Sequence, residues 1–179
     1  MNSYKTEGIV LKRSNFGEAD KILTLFSKHH GKISLIAKGI RRTTSRKGGN
    51  LELFNQVRIF VANGRNLDIV TEAEVINSFK DWRRDLRKVA VAYQLCELVD
   101  RLTAELAENQ EIYDLLLNSL TNLLPVTDHQ SLIANFELSL LQSLGFWPRG
   151  KAVGNLNLED YIENLINRRL RAKDFLKRV

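Results

Sequence analysis

The chain has 179 residues, 44% of them apolar, and a formal net charge of +6, so it is long enough for one large domain or two small ones. Its single cysteine, Cys96, excludes an internal disulfide. The N-terminal residues lack the apolar core of a signal peptide, and no uninterrupted apolar run reaches membrane-spanning length. These properties predict a cytoplasmic protein that is folded throughout and makes no membrane contact.

The positive charge is unevenly distributed along the chain. Residues 1–80 carry 14 Lys and Arg against 7 Asp and Glu, a net charge of +7, whereas residues 81–179 carry 13 against 14, a net charge of −1. A basic domain attached to a nearly neutral one is typical of a protein that binds a polyanion. The alternative is that this charge only keeps a small domain soluble.

Residues 1–80 show the period-two alternation and the turn residues of five short strands. The predicted strands are Tyr4–Lys12, Ile22–Phe26, Ile33–Ala37, Leu53–Ala62 and Leu67–Ile76. The dipeptide Asn63-Gly64, which favours tight hairpin turns, is expected to join the last two. Five strands with little room for a helix predict an OB-fold, a small barrel whose face and loops bind oligonucleotides.

The connection between the third and fourth strands, residues 38–49, holds five cations and no acid, and we call it the basic loop. Its cations are Lys38, Arg41, Arg42, Arg46 and Lys47. Hydroxyl side chains add hydrogen-bond donors, and the glycines allow the backbone to bend towards a ligand. We predict that the basic loop contacts phosphates; the alternative is a solvated, mobile surface loop.

Four phenylalanines in this half are candidate stacking platforms for bases: Phe16, Phe26, Phe54 and Phe60. Apolar aromatic side chains dominate the interiors of small domains. Each of the four is therefore expected to lie in the core.

Beyond residue 80 the apolar period changes from two to about 3.6, which predicts a helical domain over residues 81–179. Asp81 is the predicted cap of the first helix, and the second is predicted from Ile112 to Leu124. The third is predicted to begin at Thr127 or Asp128 and to end at Gly145, and the fourth to run from Leu158 through Leu170. Four amphipathic helices with short connections imply an antiparallel bundle. The predicted fold class is α+β, a barrel followed by a bundle.

The last twelve residues hold six cations and one acid. Four of these cations form a candidate second phosphate-contacting patch: Arg168, Arg169, Arg171 and Lys173. Cations near a helix C-terminus complement the helix dipole, which explains part of the cluster. Six exceed what capping requires, so a second patch is a hypothesis.

The sequence contains no recognisable catalytic or metal-binding constellation. Glu18 and Asp20 form a lone acidic pair beside a turn, and Cys96 lies among the apolar positions of a helix. No group of Cys and His residues has zinc-ligand spacing. We expect a binding protein with no enzymatic activity, cofactor or metal.

Several blocks of the chain closely resemble RecO, a family of bacterial recombination mediators. These blocks are Gly8–Leu11, Gly17–Ser27, Gly31-Lys32, Ala37–Arg42, Ala73–Val75, Leu95–Leu102 and Phe136–Phe146. They occur in order and span most of the chain up to Pro148. The resemblance implies an N-terminal OB-fold followed by a helical domain, in agreement with the periodicity.

The resemblance also implies a function. RecO-like proteins bind single- and double-stranded DNA, anneal complementary strands, contact the acidic tail of single-strand-binding protein, and work with RecR to place RecA on coated strands. The five cations of the basic loop match the basic segment of the family, so the resemblance assigns DNA contact to them.

Three features depart from the family pattern. Many members carry a four-cysteine zinc module, but residues 150–157 here form a cysteine-free link, so no zinc site carries over. The chain also ends early for the family, at Val179. Some members have arginine where this chain has Ala134 and Asn135, a position linked to binding the acidic tail, so this contact is expected to be weaker or to move to Arg84, Arg87 or Arg101.

Two other functions use the same residues. A protein-interaction adaptor would receive acidic peptide tails on its cations and bind DNA incidentally. An RNA-binding OB module would keep the basic loop and change the ligand, and backbone charge alone would scarcely distinguish RNA from DNA.

Overall fold

The computed structural model describes residues 3–43, 45 and 47–178, apart from the side chain of Lys173. Its strands are β1 (Ser3–Phe16), β2 (Asp20–Ser27), β3 (Gly31–Ala37), β4 (Gln56–Ala62) and β5 (Asp68–Asn77). They form a closed barrel in the order β1-β2-β3-β5-β4. β3 and β5 pair in parallel, and the other neighbouring strands pair antiparallel. The predicted fold class, an OB-fold barrel followed by helices, is confirmed.

Alternating side chains fill the interior of the barrel. In β3 every second residue, from Gly31 to Ala37, is buried, and those between are half-buried. Strands of period two place one set of side chains on each face, so the buried set forms the core. The core includes Val10, Leu23, Leu25, Ile33, Leu35, Val57, Ile59, Val61 and Val70.

A β-bulge in β1 changes which of its side chains face the interior. The register with β2 shifts between Val10 and Lys12. The main chain of Val10 exchanges hydrogen bonds with residues 54–55: its carbonyl accepts from Phe54 at 2.9 Å, and its N–H donates to Asn55 at 3.1 Å. After the bulge, Arg13 pairs with the core residue Leu23. Arg13 therefore lies on the interior-facing side of β1, at the end of the barrel.

Two predicted details of β4 and β5 are wrong. β4 begins at Gln56 instead of Leu53, because Phe54 has a φ of 71°, a left-handed conformation that a strand does not contain. The connection after β4 is longer than a two-residue turn, since Ala62 pairs with Ile69. The side chain of Asp68 closes this loop by accepting the N–H of Gly64 at 3.1 Å.

A segment from the middle of the chain, Ala104–Tyr113, belongs to the same compact unit as the barrel strands. It runs along β3: the N–H of Leu106 donates to the carbonyl of Lys32 at 2.9 Å, and Glu105 accepts the hydroxyl of Ser34 at 2.9 Å. The second unit comprises Lys80–Thr103 and Asp114–Val179. The predicted domain boundary at residue 80 stays a prediction, and this barrel segment lies beyond it in the sequence.

The described part of the chain holds five helices. They are α1 (Leu86–Leu102), α2 (Gln110–Thr121), α3 (His129–Ser143), α4 (Leu158–Ile166) and α5 (Ala172–Leu176). None of these described helices is long and apolar enough to span a membrane. The fourth helix was predicted to continue through Leu170, and that is wrong. It ends at Asn167, whose φ of 52° and ψ of 37° place it in the left-handed region that terminates helices.

The predicted cap of the first helix is also wrong. The side chain of Asp85, not Asp81, accepts the N–H groups of Arg87 and Lys88 at the start of α1. Trp82 therefore precedes the helix. Its side chain is buried, with 2% exposed, and its Nε1 donates to the Leu120 carbonyl at 2.9 Å. Its burial explains why it continued the apolar periodicity in the sequence.

Replacing Asp85 with Ala should lower the free energy of unfolding by about 1 kcal/mol, because two N–H groups at the start of α1 lose their acceptor. Asp81 is exposed and precedes α1 by five positions, so Asp81→Ala should change stability by less than about 0.5 kcal/mol. Urea unfolding followed by far-UV circular dichroism measures both values. Equal losses in the two variants would contradict the assignment of the cap.

Candidate nucleic-acid interface

The first half of the basic loop is attached to the hairpin between β1 and β2. The N–H of Gly39 donates to Asp20 Oδ1 at 2.7 Å, and the N–H of Arg41 donates to the carbonyl of Ala19 at 2.9 Å. The Arg41 side chain adds a 3.3 Å hydrogen bond from Nη1 to the carbonyl of Gly17. Asp20 thus acts as a structural acceptor that fixes where the loop leaves β3.

The second half of the basic loop and the residues after it are attached to β5. Lys47 Nζ donates to the carbonyl of Val70 at 3.2 Å, and Asn50 Nδ2 donates to the carbonyl of Ala73 at 2.8 Å. Two apolar side chains, Ile40 and Leu51, are at most 5% exposed and belong to the barrel core. The described part of the loop is therefore packed over one end of the barrel and hydrogen-bonded on both sides.

The predicted loop cations differ in their surroundings. Lys38, Arg41 and Arg42 are exposed. Lys47 is half-buried and directs its ammonium group to the Val70 carbonyl, so part of its hydrogen-bonding capacity is used within the protein. Arg46 lies outside the described residues. Among the described cations of the basic loop, Lys38, Arg41 and Arg42 present the most accessible charge to a polyanion.

A polar cleft of about 410 Å³ opens beside the loop. Its lining residues include Arg13 and Asn15 of β1, Lys21 of β2, and Arg41 of the loop, together with the acid Glu52. Asn15 pairs with Lys21 across the hairpin, so their side chains lie on the same face. Sequence reasoning did not include Arg13 and Lys21 in the site. The direction of Arg13 is set by the β1 bulge, for which the sequence carries no local signal.

On the outer surface of β1, β4 and β5, a basic side chain is paired with acids of the neighbouring strands. Arg58 Nη2 lies 2.8 Å from Glu7, and its Nη1 lies 3.2 Å from Glu74 on the other neighbouring strand. These hydrogen bonds, that to Glu7 above all, raise the pKa of Arg58. Because two carboxylates flank this cation, its charge is compensated by acids of the neighbouring strands.

The four phenylalanines divide into two pairs. Phe26 and Phe54 are at most 3% exposed and lie in the core, as expected. Phe16 and Phe60 are 50% and 42% exposed, so the expectation that they are core residues is wrong. Phe16 ends β1, next to the Gly17 carbonyl that accepts from Arg41, whereas Lys5 Nζ lies 5.0 Å from the ring of Phe60. Phe16 is thus an exposed aromatic residue next to a residue that contacts the basic loop.

The candidate second patch lies in the connection between α4 and α5 and at the start of α5. Arg168, Arg169 and Arg171 are exposed, and the side chain of Lys173 lies outside the described part of the structure. These arginines follow the end of α4, whose last turn has no basic residue, and the main-chain N–H of Arg168 donates to the carbonyl of Glu163 at 3.2 Å. The main chain here is held by Glu97 of α1, which accepts the N–H groups of Arg171 at 3.1 Å and Ala172 at 2.7 Å. The patch stays a prediction.

The residues predicted to contact an acidic tail do not form one cluster. Arg84 and Arg87 are exposed near the start of α1, whereas Arg101 is in its last turn, 3.8 Å from Glu97. A helix rises 1.5 Å per residue, so Arg87 and Arg101 are separated by about 21 Å along α1. A short tail that binds the first two would therefore not contact Arg101 in the same pocket.

A second cavity, of about 780 Å³, lies within the helical unit. Ala134 and Asn135 contribute to its lining, together with the acids Glu137 and Glu159 and the cation Lys177. The two acids give this cavity no excess of positive charge. It therefore lacks the electrostatic character that would attract an acidic peptide.

Residues with reactive or metal-binding side chains are not assembled into a further site in the described part of the chain. No group of three or more His, Cys, Asp or Glu residues among the described ones could hold a metal ion. Cys96 is 1% exposed, and burial raises the pKa of its thiol far above the usual range. A protonated, inaccessible thiol has the properties of a small apolar core residue.

The chain matches two parts of one protein family. Residues 1–79 match the model described as Recombination protein O N terminal, and residues 83–153 match the model described as Recombination protein O C terminal.

Curated relatives bear the name DNA repair protein RecO. The relative from Symbiobacterium thermophilum is 41% identical over 150 residues, which are 83% of this chain and 59% of the relative. That from Roseiflexus sp. is 38% identical over 146 residues, 82% of this chain and 51% of the relative. The relative from Bifidobacterium adolescentis is 40% identical over 152 residues, which are 83% of this chain and 62% of the relative. The chain thus spans between half and two thirds of the length of these relatives.

Proposed function

Because the chain belongs to the RecO family of DNA repair proteins, we propose that it is a non-enzymatic DNA-binding protein of recombinational repair. It binds single- and double-stranded DNA, anneals complementary strands, and helps to load a recombinase on protein-coated strands. The observation that supports this most strongly is the basic loop: it is hydrogen-bonded on both sides at one end of the barrel and exposes Lys38, Arg41 and Arg42.

The arrangement suits a strand that is recognised by its backbone. Exposed cations contact phosphates without reading the sequence, and each contact releases counterions, which supplies affinity that falls as salt rises. Phe16, exposed at the end of β1, offers a ring on which a base can stack. Neutralising phosphates also lowers the repulsion between two complementary strands. The same contacts would therefore promote annealing with no catalytic step.

The helical residues then serve as partner surface. A RecR-like protein and the tail of single-strand-binding protein are the partners, and a RecA-like recombinase is reached indirectly. For the acidic tail we favour Arg84 and Arg87, which are exposed and close in sequence, over Arg101, which lies beside Glu97. The nearly neutral charge of residues 81–179 fits a surface for proteins better than one for nucleic acid.

Fluorescence anisotropy of the full chain tests the proposal against its two rivals. One titration uses a labelled single-stranded oligonucleotide, and a second uses a labelled acidic peptide, each across a salt series. We expect a steep salt dependence for DNA, because several phosphates are contacted at about 0.7 counterions each. Tight binding of the peptide with weak, salt-insensitive DNA binding would favour the adaptor. Competition in which matched RNA displaces DNA far more effectively than unlabelled DNA would favour the RNA-binding module.

A further inference from the structure

The cleft beside the basic loop has a half-buried cation on one wall and an exposed acid at its edge. Arg13 Nη2 lies 2.7 Å from Glu52 Oε2, and the side chains are 18% and 47% exposed, respectively. Arg13 Nη1 also donates to the carbonyl of Leu51 at 3.3 Å. Arg13 is therefore held by the end of the barrel, whereas Glu52 can turn into solvent with little loss of packing.

The guanidinium of Arg13 has hydrogen-bonding capacity to spare. Within the described part of the chain its buried Nε has no hydrogen-bond partner. A half-buried cation that loses its counterion is left with an uncompensated charge, so an anion next to the Arg13 guanidinium is favourable. Glu52 provides that anion in the protein alone, and because 47% of its side chain is exposed, water screens the ion pair and another anion can replace the carboxylate.

The other charges of the cleft exceed the single acid. Lys21 and Arg41 also line it, so three cations face one carboxylate and the net charge of the lining is +2. Guanidinium groups match the oxygens of a phosphate in planar, paired hydrogen bonds, and an ammonium adds a point charge. A phosphodiester is the anion that fits this set of donors when a nucleic-acid strand crosses the adjoining loop.

We infer that this cleft, defined by Arg13, Lys21, Arg41 and Glu52, binds one backbone phosphate of a bound strand, and that Glu52 occupies the place of that phosphate in the free protein. Glu52 then acts as an internal competitor: its carboxylate turns away when the strand binds and returns when it leaves. The inference rests on the proposed DNA-binding function and adds to it a specific phosphate site and a residue that weakens binding.

The first test compares two substitutions that remove the same charge from the barrel. Glu52→Gln keeps an acceptor for Arg13 but removes the competing negative charge, whereas Glu72→Gln removes an exposed carboxylate of β5. At low salt, Glu52→Gln should bind a labelled oligothymidylate about three- to fivefold more tightly than the native chain, the effect of one partly exposed charge pair. Glu72→Gln should bind no more than about twofold more tightly. Equal gains would overturn the inference, because they would show that only net charge matters.

A second variant tests the cleft by removing one of its cations. Lys21→Ala should make the logarithmic salt dependence of oligothymidylate binding shallower by about 0.7, the contribution of one phosphate contact. It should also reduce the gain produced by Glu52→Gln when the two changes are combined. An unchanged salt slope in Lys21→Ala, with additive effects in the double variant, would place the strand elsewhere.

Inorganic phosphate separates this inference from the proposed function. Its titration against the full chain is followed by NMR of the arginine side-chain N–H groups, with chloride at matched ionic strength as control. The Arg13 signal should shift at lower phosphate concentration in Glu52→Gln than in the native chain. If DNA binding is steeply salt-dependent but Glu52→Gln changes neither the affinity for oligothymidylate nor the phosphate titration, the phosphate site is wrong and the proposed function stands. If phosphate binds the cleft but salt-dependent DNA binding is missing, both the proposed function and the strand site fail.

Discussion

Changing Lys38, Arg41 and Arg42 together to Ala should weaken single-stranded DNA binding by roughly 10- to 50-fold at physiological salt. The slope of log affinity against log salt concentration should become shallower by about two, because each phosphate contact contributes about 0.7. The three side chains are exposed at the end of the barrel. Their removal leaves the main-chain hydrogen bonds of Gly39 and Arg41 in place. The protein should therefore fold normally and lose affinity through lost phosphate contacts.

The matched control removes three exposed cations from elsewhere in the chain: Lys5, Arg65 and Lys80. It lowers the net charge by the same amount, so a nonspecific attraction between the protein and DNA would fall equally in both triple variants. We expect the control to lose less than about fivefold in affinity and less than one unit of salt slope. Similar losses in the two variants, measured by anisotropy over a salt series, would remove the basic loop from the interface.

Replacing Gly31 with Ala should destabilise the barrel by about 3 kcal/mol or more, one of the largest effects of a single methyl group in this chain. Gly31 has a φ of 65°, and a Cβ at this position would lie 2.1 Å from the carbonyl oxygen of Ala107. That carbonyl belongs to the segment that runs along β3. The substitution therefore forces either the strand or the segment to move.

Gly17→Ala is the control for the backbone conformation alone. Gly17 has a φ of 57°, and a Cβ there would have nothing within 4 Å. Its cost should be only the strain of a left-handed alanine, about 1 kcal/mol. In a chain of this size each kcal/mol lowers the thermal midpoint by about 2–4 °C. Equal midpoints for the two variants would show that the contact between β3 and Ala107 does not contribute to stability.

Local patterns in the sequence were sufficient to predict the barrel. Alternation of apolar residues in β2, β3 and β4 follows directly from burial of one face, and the turn residues separate these strands. The basic loop was recognisable because charge composition does not depend on the fold around it. Its attachment to Asp20 and Val70 was not predictable, since those contacts depend on which strands are neighbours.

The cleft was missed for a reason that lies in one residue of β1. Strict alternation from Val10 would direct Lys12 inward and Arg13 outward, and the bulge reverses this direction. No glycine or proline marks the bulge between Val10 and Lys12 in the sequence; at this place the main chain of Val10 exchanges hydrogen bonds with residues 54–55. The direction of Arg13 thus depends on how the strands pair, which a local apolar pattern does not contain.

In the helical half, periodicity identified most helices but misplaced their ends. Trp82 continued the apolar pattern of α1 without being helical, because a buried aromatic residue before a helix packs on the same core. The end of α4 at Asn167 depends on a left-handed residue that is not glycine, which sequence patterns rarely reveal. Ala104–Tyr113 gave no sign in the sequence that it belongs to the barrel unit.

We propose that this chain uses the loop end of its barrel to bring DNA strands together. A strand-annealing assay tests it most directly: two complementary oligonucleotides, coated with single-strand-binding protein and labelled for energy transfer, are mixed with the full chain. We expect the native chain to accelerate annealing and the triple variant of Lys38, Arg41 and Arg42 to lose most of this acceleration. The control variant of Lys5, Arg65 and Lys80 should retain it. An annealing rate that the native chain does not raise, under conditions where it binds each single strand, would contradict the claim.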